Sequence, residues 1–79
     1  MSRVKVGIVG CGAIGSELAL FIEKDLARYF ILQGIYDISK EKVKQLSDRL
    51  MRKPKIFDFN GLISSAEMII ETASIGAAA

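Results

Sequence analysis

Three glycines that follow a short apolar run constrain this chain more than any other feature of its sequence. The run from Val4 to Val9 leads into Gly10, Gly12 and Gly15, which have the spacing G-x-G-x-x-G. A residue without a Cβ at Gly10 allows a tight turn out of a strand, and one at Gly15 lets a new helix pack closely on that strand. Apolar residues at helical spacing begin directly afterwards. The sequence therefore predicts a strand, a turn and a helix in immediate succession.

The same loop has the properties of a phosphate-binding site. Gly12 leaves space for a pyrophosphate to approach the main chain, and the first amides of the following helix have no partner within that helix. Asp37 follows Gly15 by 22 positions, close to the offset of about 20 at which an acidic side chain accepts ribose hydroxyls. Glycines also mark ordinary turns, and Asp37 could simply cap the turn into the next helix. The two signals together favour dinucleotide binding.

Short apolar runs alternate with helical stripes along the rest of the chain. This alternation predicts the α/β class: half of a doubly wound parallel sheet, Rossmann-like, with strand order 3-2-1-4 and three layers. We expect residues 1–79 to be part of one NAD(P)-binding domain. The predicted strands are Val4–Val9, Phe30–Asp37, Ile56–Phe59 and Glu67–Ser74, and the predicted helices run from Ala13 to Ala27 and from the N-cap Ser39 to Lys53.

Each of the two longer helices is expected to bury one apolar stripe. The predicted stripe of the first consists of Ile14, Leu18, Phe21, Ile22 and Leu26, and that of the second of Val43, Leu46 and Leu50. Glu17 and Glu23 are expected at the solvated surface. Leu62 and Ile63 predict only a short helical turn.

Composition excludes several classes of function. The net charge is only +2 and the basic residues are scattered among acids, which argues against a nucleic-acid-binding protein. Histidine is absent and Cys11 is the single cysteine, so neither a metal cluster nor an internal disulfide is expected. The apolar runs are too short to span a bilayer, and no signal-peptide pattern follows Met1. These features predict a cytoplasmic protein without a membrane partner.

Three stretches together resemble the L-aspartate dehydrogenase family. They are VKVGIVGCGAIG at the start, IYD at the end of the second predicted strand and IIETAS on the fourth. The resemblance covers the whole chain but only the amino-terminal part of the family's length. Thr72 stands where the family pattern has alanine. The resemblance implies oxidation of L-aspartate to iminoaspartate, with NAD as the cofactor and NADP as the alternative.

The resemblance also implies roles for particular residues. Those assigned to the pyrophosphate are Gly10, Gly12, Ala13 and Ile14, with Gly15 behind them and Cys11 contributing its backbone rather than a reactive thiol. Asp37, with Ile38 beside it, would hold the adenosine ribose. Ala73 and Ser74 would approach the nicotinamide half. The family's catalytic histidine lies in later sequence, so no catalytic residue is assigned to this chain and the chain alone is not expected to be active.

Two other functions are compatible with the sequence. Rossmann domains also serve as nucleotide-sensing regulatory modules without catalysis, and the chain could be a trimmed fragment of a larger enzyme. We further expect the isolated chain to associate with itself through the edge of the fourth strand, because Met68, Ile69 and Ile70 carry no charge that would discourage pairing.

Overall fold

The computed structural model describes residues 2–56 and 58–72. Across these residues, four strands form one sheet in the order β3-β2-β1-β4, and each of the three pairings is parallel. The strands are β1 (Val4–Val9), β2 (Phe30–Tyr36), β3 (Lys55–Ile56) and β4 (Met68–Glu71), and the helices between them are α1 (Ala13–Lys24), α2 (Lys40–Arg49) and α3 (Phe59–Ser65). The α/β class with parallel strands, predicted from the alternating pattern, is confirmed.

The predicted ends of several elements were wrong by a few residues. Helix α1 ends at Lys24 rather than Ala27, because the chain turns at Leu26, whose N–H donates to the Phe21 carbonyl. Helix α2 ends at Arg49, before the region in which Pro54 would have stopped it. Strand β4 is described from Met68 to Glu71. Ala73 and Ser74 lie outside the described residues.

Helix α3 replaces the end of the predicted third strand. Phe59 was assigned to that strand, but it is the first residue of α3. The reason is the neighbouring Asp58, whose carboxylate accepts the N–H of Gly61 at 2.7 Å and caps the helix. The cap by Asp58 therefore ends the extended segment before Phe59.

Side chains of β1 pack on both faces of the sheet. On one face Val6 and Ile8 are fully buried in the main hydrophobic cluster, whose other members are Cys11, Ala19, Ile22, Ile35, Val43, Leu46 and Leu50. Gly7 points to the opposite face, where a Cβ would lie 2.8 Å from Cδ1 of the fully buried Leu62. The absence of a side chain at Gly7 therefore lets α3 lie close to the sheet.

The predicted stripe of α1 is correct only in part: Ile22 is buried, and Leu18 and Leu26 pack against the main cluster. Ile14 and Phe21 are 47% and 49% exposed, whereas the buried positions of the helix are Gly15, Ser16, Ala19 and Ile22. Small residues at this contact bring the helix axis close to the sheet, and the bulkier Ile14 and Phe21 are turned outward as a result. The stripe of α2 was predicted correctly, since Val43, Leu46 and Leu50 are all buried.

An irregularity in β2 changes which of its side chains face the core. The pairing with β1 passes from Val6↔Leu32 to Gly7↔Gly34, so Gln33 has no partner. An extra residue reverses the alternation of faces in its strand. Ile35 is consequently opposite Ile8 and fully buried in the same cluster.

We predict that Leu62→Ala lowers the free energy of unfolding by about 2–5 kcal/mol, because it removes a fully buried side chain and leaves a cavity beside Gly7. Urea denaturation would measure the change. The control is Ile63→Ala in the same helix, where the side chain is 47% exposed; we expect a change there of about 0.5 kcal/mol or less. Equal losses in the two variants would contradict the packing of α3 through Leu62.

Candidate functional site

The carboxyl ends of the strands bring three chain segments to one edge of the sheet. Strand β1 is followed by Gly10, β2 by Asp37 and β4 by Thr72. Because the strands are parallel, these residues lie at the same edge, where ligands bind in open α/β sheets. The candidate site is built on this edge.

Gly10 has the backbone conformation that the turn requires. Its φ is 105°, a region that residues with a side chain rarely adopt, and its N–H donates to the Tyr36 carbonyl at 2.8 Å. The hydrogen bond extends the pairing of β1 and β2 by one residue beyond the strand. It therefore fixes where the loop leaves the sheet.

Gly15 is required for the contact between α1 and this loop. A Cβ at Gly15 would overlap the carbonyl oxygen of Gly10 and would lie 2.8 Å from Oγ1 of Thr72. Neither neighbour can move easily, since one is backbone and the other is a buried side chain. The third glycine of the motif is thus explained by packing within the chain.

Gly12 has no such explanation within the fold. Its φ is −75°, which any residue adopts, and a Cβ placed on it would meet no atom within 4 Å. The space above Gly12 is open at the N-terminus of α1, where no side chain caps the helix and the intrahelical bonds begin with Ser16 N–H to Gly12 C=O at 2.8 Å. An open cradle beside unpartnered helix amides has the shape and polarity that a phosphate group requires.

Asp37 is held by two backbone amides. Its Oδ2 accepts the N–H of Cys11 at 2.7 Å and its Oδ1 accepts the N–H of Ser39 at 2.8 Å. The interpretation of Asp37 as a cap of the following turn is therefore correct, and the same carboxylate also ties the glycine loop to the end of β2. It remains partly exposed at the edge of the sheet, so the two bonds do not remove it from a ligand's reach.

The carboxylate of Asp37 is stabilised in its charged form. Partial burial by itself raises the pKa, but the hydrogen bonds from the Cys11 and Ser39 amides and the charge of Lys42 outweigh it and hold the pKa of Asp37 below its ordinary value of 3.8. A depressed pKa contributes stability above the ordinary value and loses it as the pH falls through the folded-state pKa. Asp37 is accordingly an anion throughout the neutral range.

The thiol of Cys11 is buried and its pKa is raised. Burial and then the negative charge of Asp37 raise its pKa to about 11, although Sγ bonds to the Tyr36 carbonyl at 3.5 Å. The side chain is 4% exposed. A protonated, buried thiol is a poor nucleophile, which agrees with the prediction that Cys11 contributes its backbone and a small apolar side chain.

Two adjoining clefts lie beside Asp37. One, of about 580 Å³, is lined by Tyr36, Asp37, Ile38, Lys40, Val43, Lys44 and Asp58. The other, of about 410 Å³, is lined by Val9, Gly10, Tyr36, Asp37, Ile38 and Phe59. They share Tyr36, Asp37 and Ile38, and together they lead from the glycine loop to α2. Clefts of this size accommodate small organic ligands.

Comparison with known proteins identifies relatives of one kind. An L-aspartate dehydrogenase of Nitrosopumilus maritimus is 32% identical over 72 residues, which are 89% of this chain and 26% of the relative. An L-aspartate dehydrogenase of Methanococcoides burtonii is 29% identical over 72 residues, which are 90% of this chain and 26% of the relative. An L-aspartate dehydrogenase of Methanocaldococcus jannaschii is 31% identical over 74 residues, which are 94% of this chain and 28% of the relative.

Over these residues the chain is similar to L-aspartate dehydrogenases. The resemblance predicted from the three sequence stretches is thus confirmed. The chain spans about a quarter of the length of the curated relatives it matches. No protein-family model matches the chain, and no solved structure matches it significantly.

The structure brings together the predicted site residues that it describes. Gly10 to Gly15 form the loop and the first turn of α1, and Asp37 and Ile38 lie beside it. Ile38 is 91% exposed at the mouth of both clefts. Ala73 and Ser74, predicted to face the nicotinamide half, are outside the described residues.

Sequence reasoning missed several residues that shape the site. Tyr36 and Phe59 line the second cleft and form an edge-to-face pair with ring centroids 5.8 Å apart. Phe59 was hidden by its assignment to a strand. Ser16 and Thr72 hold the loop with buried hydroxyls. Their signal was the occurrence of hydroxyl side chains directly beside the glycine motif and at the end of β4.

Two further properties concern the described part of the chain as a whole. Within residues 2–56 and 58–72, no helix is long and apolar enough to cross a membrane. In the same ranges no group of three or more histidine, cysteine, aspartate or glutamate side chains could hold a metal ion.

Substitution by alanine should affect the stability of the chain strongly at Gly15 and only slightly at Gly12. Gly15→Ala should lower the free energy of unfolding by more than about 2 kcal/mol, because the new Cβ would overlap the Gly10 carbonyl oxygen. Gly12→Ala should change it by less than about 1 kcal/mol, since the helix N-cap tolerates alanine at that cost and the space is open. Chemical denaturation of both variants checks this, and a large loss for Gly12→Ala would show that Gly12 serves the fold.

Proposed function

We propose that this chain is the cofactor-binding portion of an NAD(P)-dependent oxidoreductase, and that the complete enzyme oxidises L-aspartate to iminoaspartate. The observation that carries the proposal is the open space over Gly12, which the fold does not require, beside the anionic Asp37 at the same edge of the sheet. The names of the five relatives supply the reaction.

The fold that supports this function is half of a Rossmann domain, with strand order 3-2-1-4, three layers and residues 1–79 as part of the domain. Support comes from the parallel sheet, in which β1 lies between β2 and β4. Three layers are further supported by packing on both faces of β1: the main cluster lies on one face and Leu62 of α3 on the other. In such a sheet the ligand crevice lies where the direction of strand order reverses, which here is between β1 and β4.

The glycine loop would hold the pyrophosphate. Gly12 would let phosphate oxygens approach the main chain, and the N–H groups of Ala13 and Ile14 in the first turn of α1 would donate to them. Cys11 has a different part, because its N–H already donates to Asp37. It would align the acid with the loop rather than contact the phosphates.

Asp37 would accept the hydroxyls of the adenosine ribose. Each carboxylate oxygen accepts one backbone N–H and has capacity for a second hydrogen bond. The two amides fix the orientation of the carboxylate before the ligand arrives, so little side-chain entropy would be lost on binding. A 2′-phosphate would be repelled by the same charge, which favours NAD over NADP.

The clefts beside Asp37 would take the adenine. Ile38, Tyr36 and Phe59 offer apolar and aromatic surface there, and covering the exposed Ile38 would stabilise the bound state. Lys40 and Lys44 line the first cleft. Their charge would reduce, without reversing, the discrimination against NADP.

The remaining roles follow from the resemblance. Ala73 and Ser74 would meet the nicotinamide half of the cofactor. When bound, the nicotinamide ring would accept a hydride from the substrate. This chain has no histidine, so the catalytic groups would belong to the remainder of the enzyme. Association through the edge of β4 and a cytoplasmic location stay predictions.

Asp37→Asn tests the proposal most simply. An amide accepts at one oxygen only, so the variant would lose a charge-assisted hydrogen bond to the ribose and also one of the two bonds by which Asp37 holds the loop and the turn. For both reasons we expect NAD to bind about tenfold to a hundredfold more weakly. Isothermal titration with NAD would measure the loss. Asp48→Asn is the matched control, because Asp48 is an exposed carboxylate of α2 outside both clefts.

Three results would count against the proposal. The unaltered chain could fail to bind NAD, or it could prefer NADP, which would contradict the role of Asp37. Rapid oxidation of L-aspartate by the 79-residue chain alone would contradict the assignment of the catalytic groups to the remainder of the enzyme.

A further inference from the structure

Thr72 makes contacts that the fold-level description of the site does not use. It follows the last residue of β4, and its side chain is 5% exposed. Its N–H donates to the Val9 carbonyl at 2.8 Å. Its Oγ1 lies 3.2 Å from the carbonyl oxygen of Val9 and 3.1 Å from that of Gly10. The hydroxyl therefore donates directly to the backbone of the glycine loop.

The backbone of Gly10 is consequently held from three sides. The Gly10 N–H donates to Tyr36, which ties the residue to β2. The Gly10 carbonyl oxygen faces Thr72 on one side and the bare Cα of Gly15 on the other. Its orientation sets the direction in which the chain continues into Cys11 and the open space at Gly12.

A main-chain hydrogen bond alone would not give this arrangement. The Thr72 N–H reaches only Val9, which is still within β1. The Thr72 hydroxyl adds a hydrogen bond to the carbonyl of Gly10, the residue with φ 105° at which the loop leaves β1. A side chain of the same shape without the hydroxyl would place a methyl group against two carbonyl oxygens.

We propose that Thr72 is a positioning residue for phosphate recognition: its hydroxyl fixes the glycine loop in the conformation that receives the pyrophosphate of the dinucleotide. The inference rests on the proposed function and adds to it a residue from the far strand. Asp37 anchors the loop from the side of β2, and Thr72 anchors it from the side of β4.

The test compares Thr72→Val with Thr72→Ser, using NAD and adenosine as probes. Adenosine has no phosphate, so it reports on Asp37 and the clefts alone. We expect Thr72→Val to weaken NAD binding about tenfold, which corresponds to about 1.4 kcal/mol, because the loop would then have to be ordered when the ligand binds. Adenosine binding should stay within about twofold. Thr72→Ser should bind both probes as the unaltered chain does.

Ser65→Ala is the control for loss of a hydroxyl as such. Ser65 Oγ donates to the Gly61 carbonyl at 2.8 Å within α3, away from the loop. We expect this variant to bind NAD and adenosine normally. If Thr72→Val weakens both probes equally, or neither, the hydroxyl does not position the phosphate loop and the inference is overturned.

A second measurement needs no ligand. Amide hydrogen exchange of the free chain should be faster at Gly10 and Cys11 in Thr72→Val than in Thr72→Ser, while exchange in α3 is unchanged. These two N–H groups are the ones that donate within the fold, to the Tyr36 carbonyl and to the Asp37 carboxylate. Unchanged exchange in the loop would overturn the inference even if NAD binds. An unaltered chain that fails to bind NAD but shows this faster exchange in Thr72→Val would overturn the proposed function and the role in phosphate recognition, and would leave Thr72 only as a residue that holds the loop. If Thr72→Val does not fold, Thr72→Ala takes its place with the same expectations.

Discussion

The contact between Gly15 and the carbonyl of Gly10 is the constraint on which the rest of this structure depends. Because Gly15 has no Cβ, α1 can begin directly against the loop that leaves β1. The same contact selects which face of α1 meets the sheet, and it places the small residues Ser16 and Ala19 inside. The helix N-terminus is thereby held beside the open space at Gly12, where its unpartnered amides and its dipole act together.

Separate strands hold the same short loop of the candidate site. Asp37 at the end of β2 accepts the N–H of Cys11, and Thr72 after β4 donates to Gly10. A loop held in this way loses little conformational freedom when a ligand arrives, which is how preorganisation increases affinity. Asp37 and Thr72 therefore join neighbouring strands and also shape the surface of the candidate site.

Much of this was predictable where a single residue type was required. Gly10 needs a positive φ and Gly15 needs the absence of a Cβ, and both requirements can be read from the spacing of the motif. The same is true of the buried stripe of α2, where Val43, Leu46 and Leu50 repeat at helical spacing with polar residues between them. Asp37 was found by its distance from the motif, and the structure adds that it binds the loop as well as the turn.

The failures have physical causes that a one-dimensional pattern does not contain. Ile14 and Phe21 were placed inside because they are apolar, but the close approach at Gly15 turned them outward. Gln33 shifted the register of β2, which no periodicity in the sequence indicates. Phe59 was predicted to end a strand, but it begins α3 because the carboxylate of Asp58 caps that helix. For α1 a tertiary contact determined the outcome, and for Phe59 a single hydrogen bond did.

We propose above all that the glycine loop and Asp37 form one dinucleotide site. The most direct test is to follow the chemical shifts of the backbone amides while NAD is added. The account predicts that the amides of Gly12, Ala13, Ile14 and Ser39 shift together with a single dissociation constant, while those of Ser64 and Ser65 at the far end of α3 do not. Shifts confined to another surface, or the absence of any shift at millimolar NAD, would contradict it.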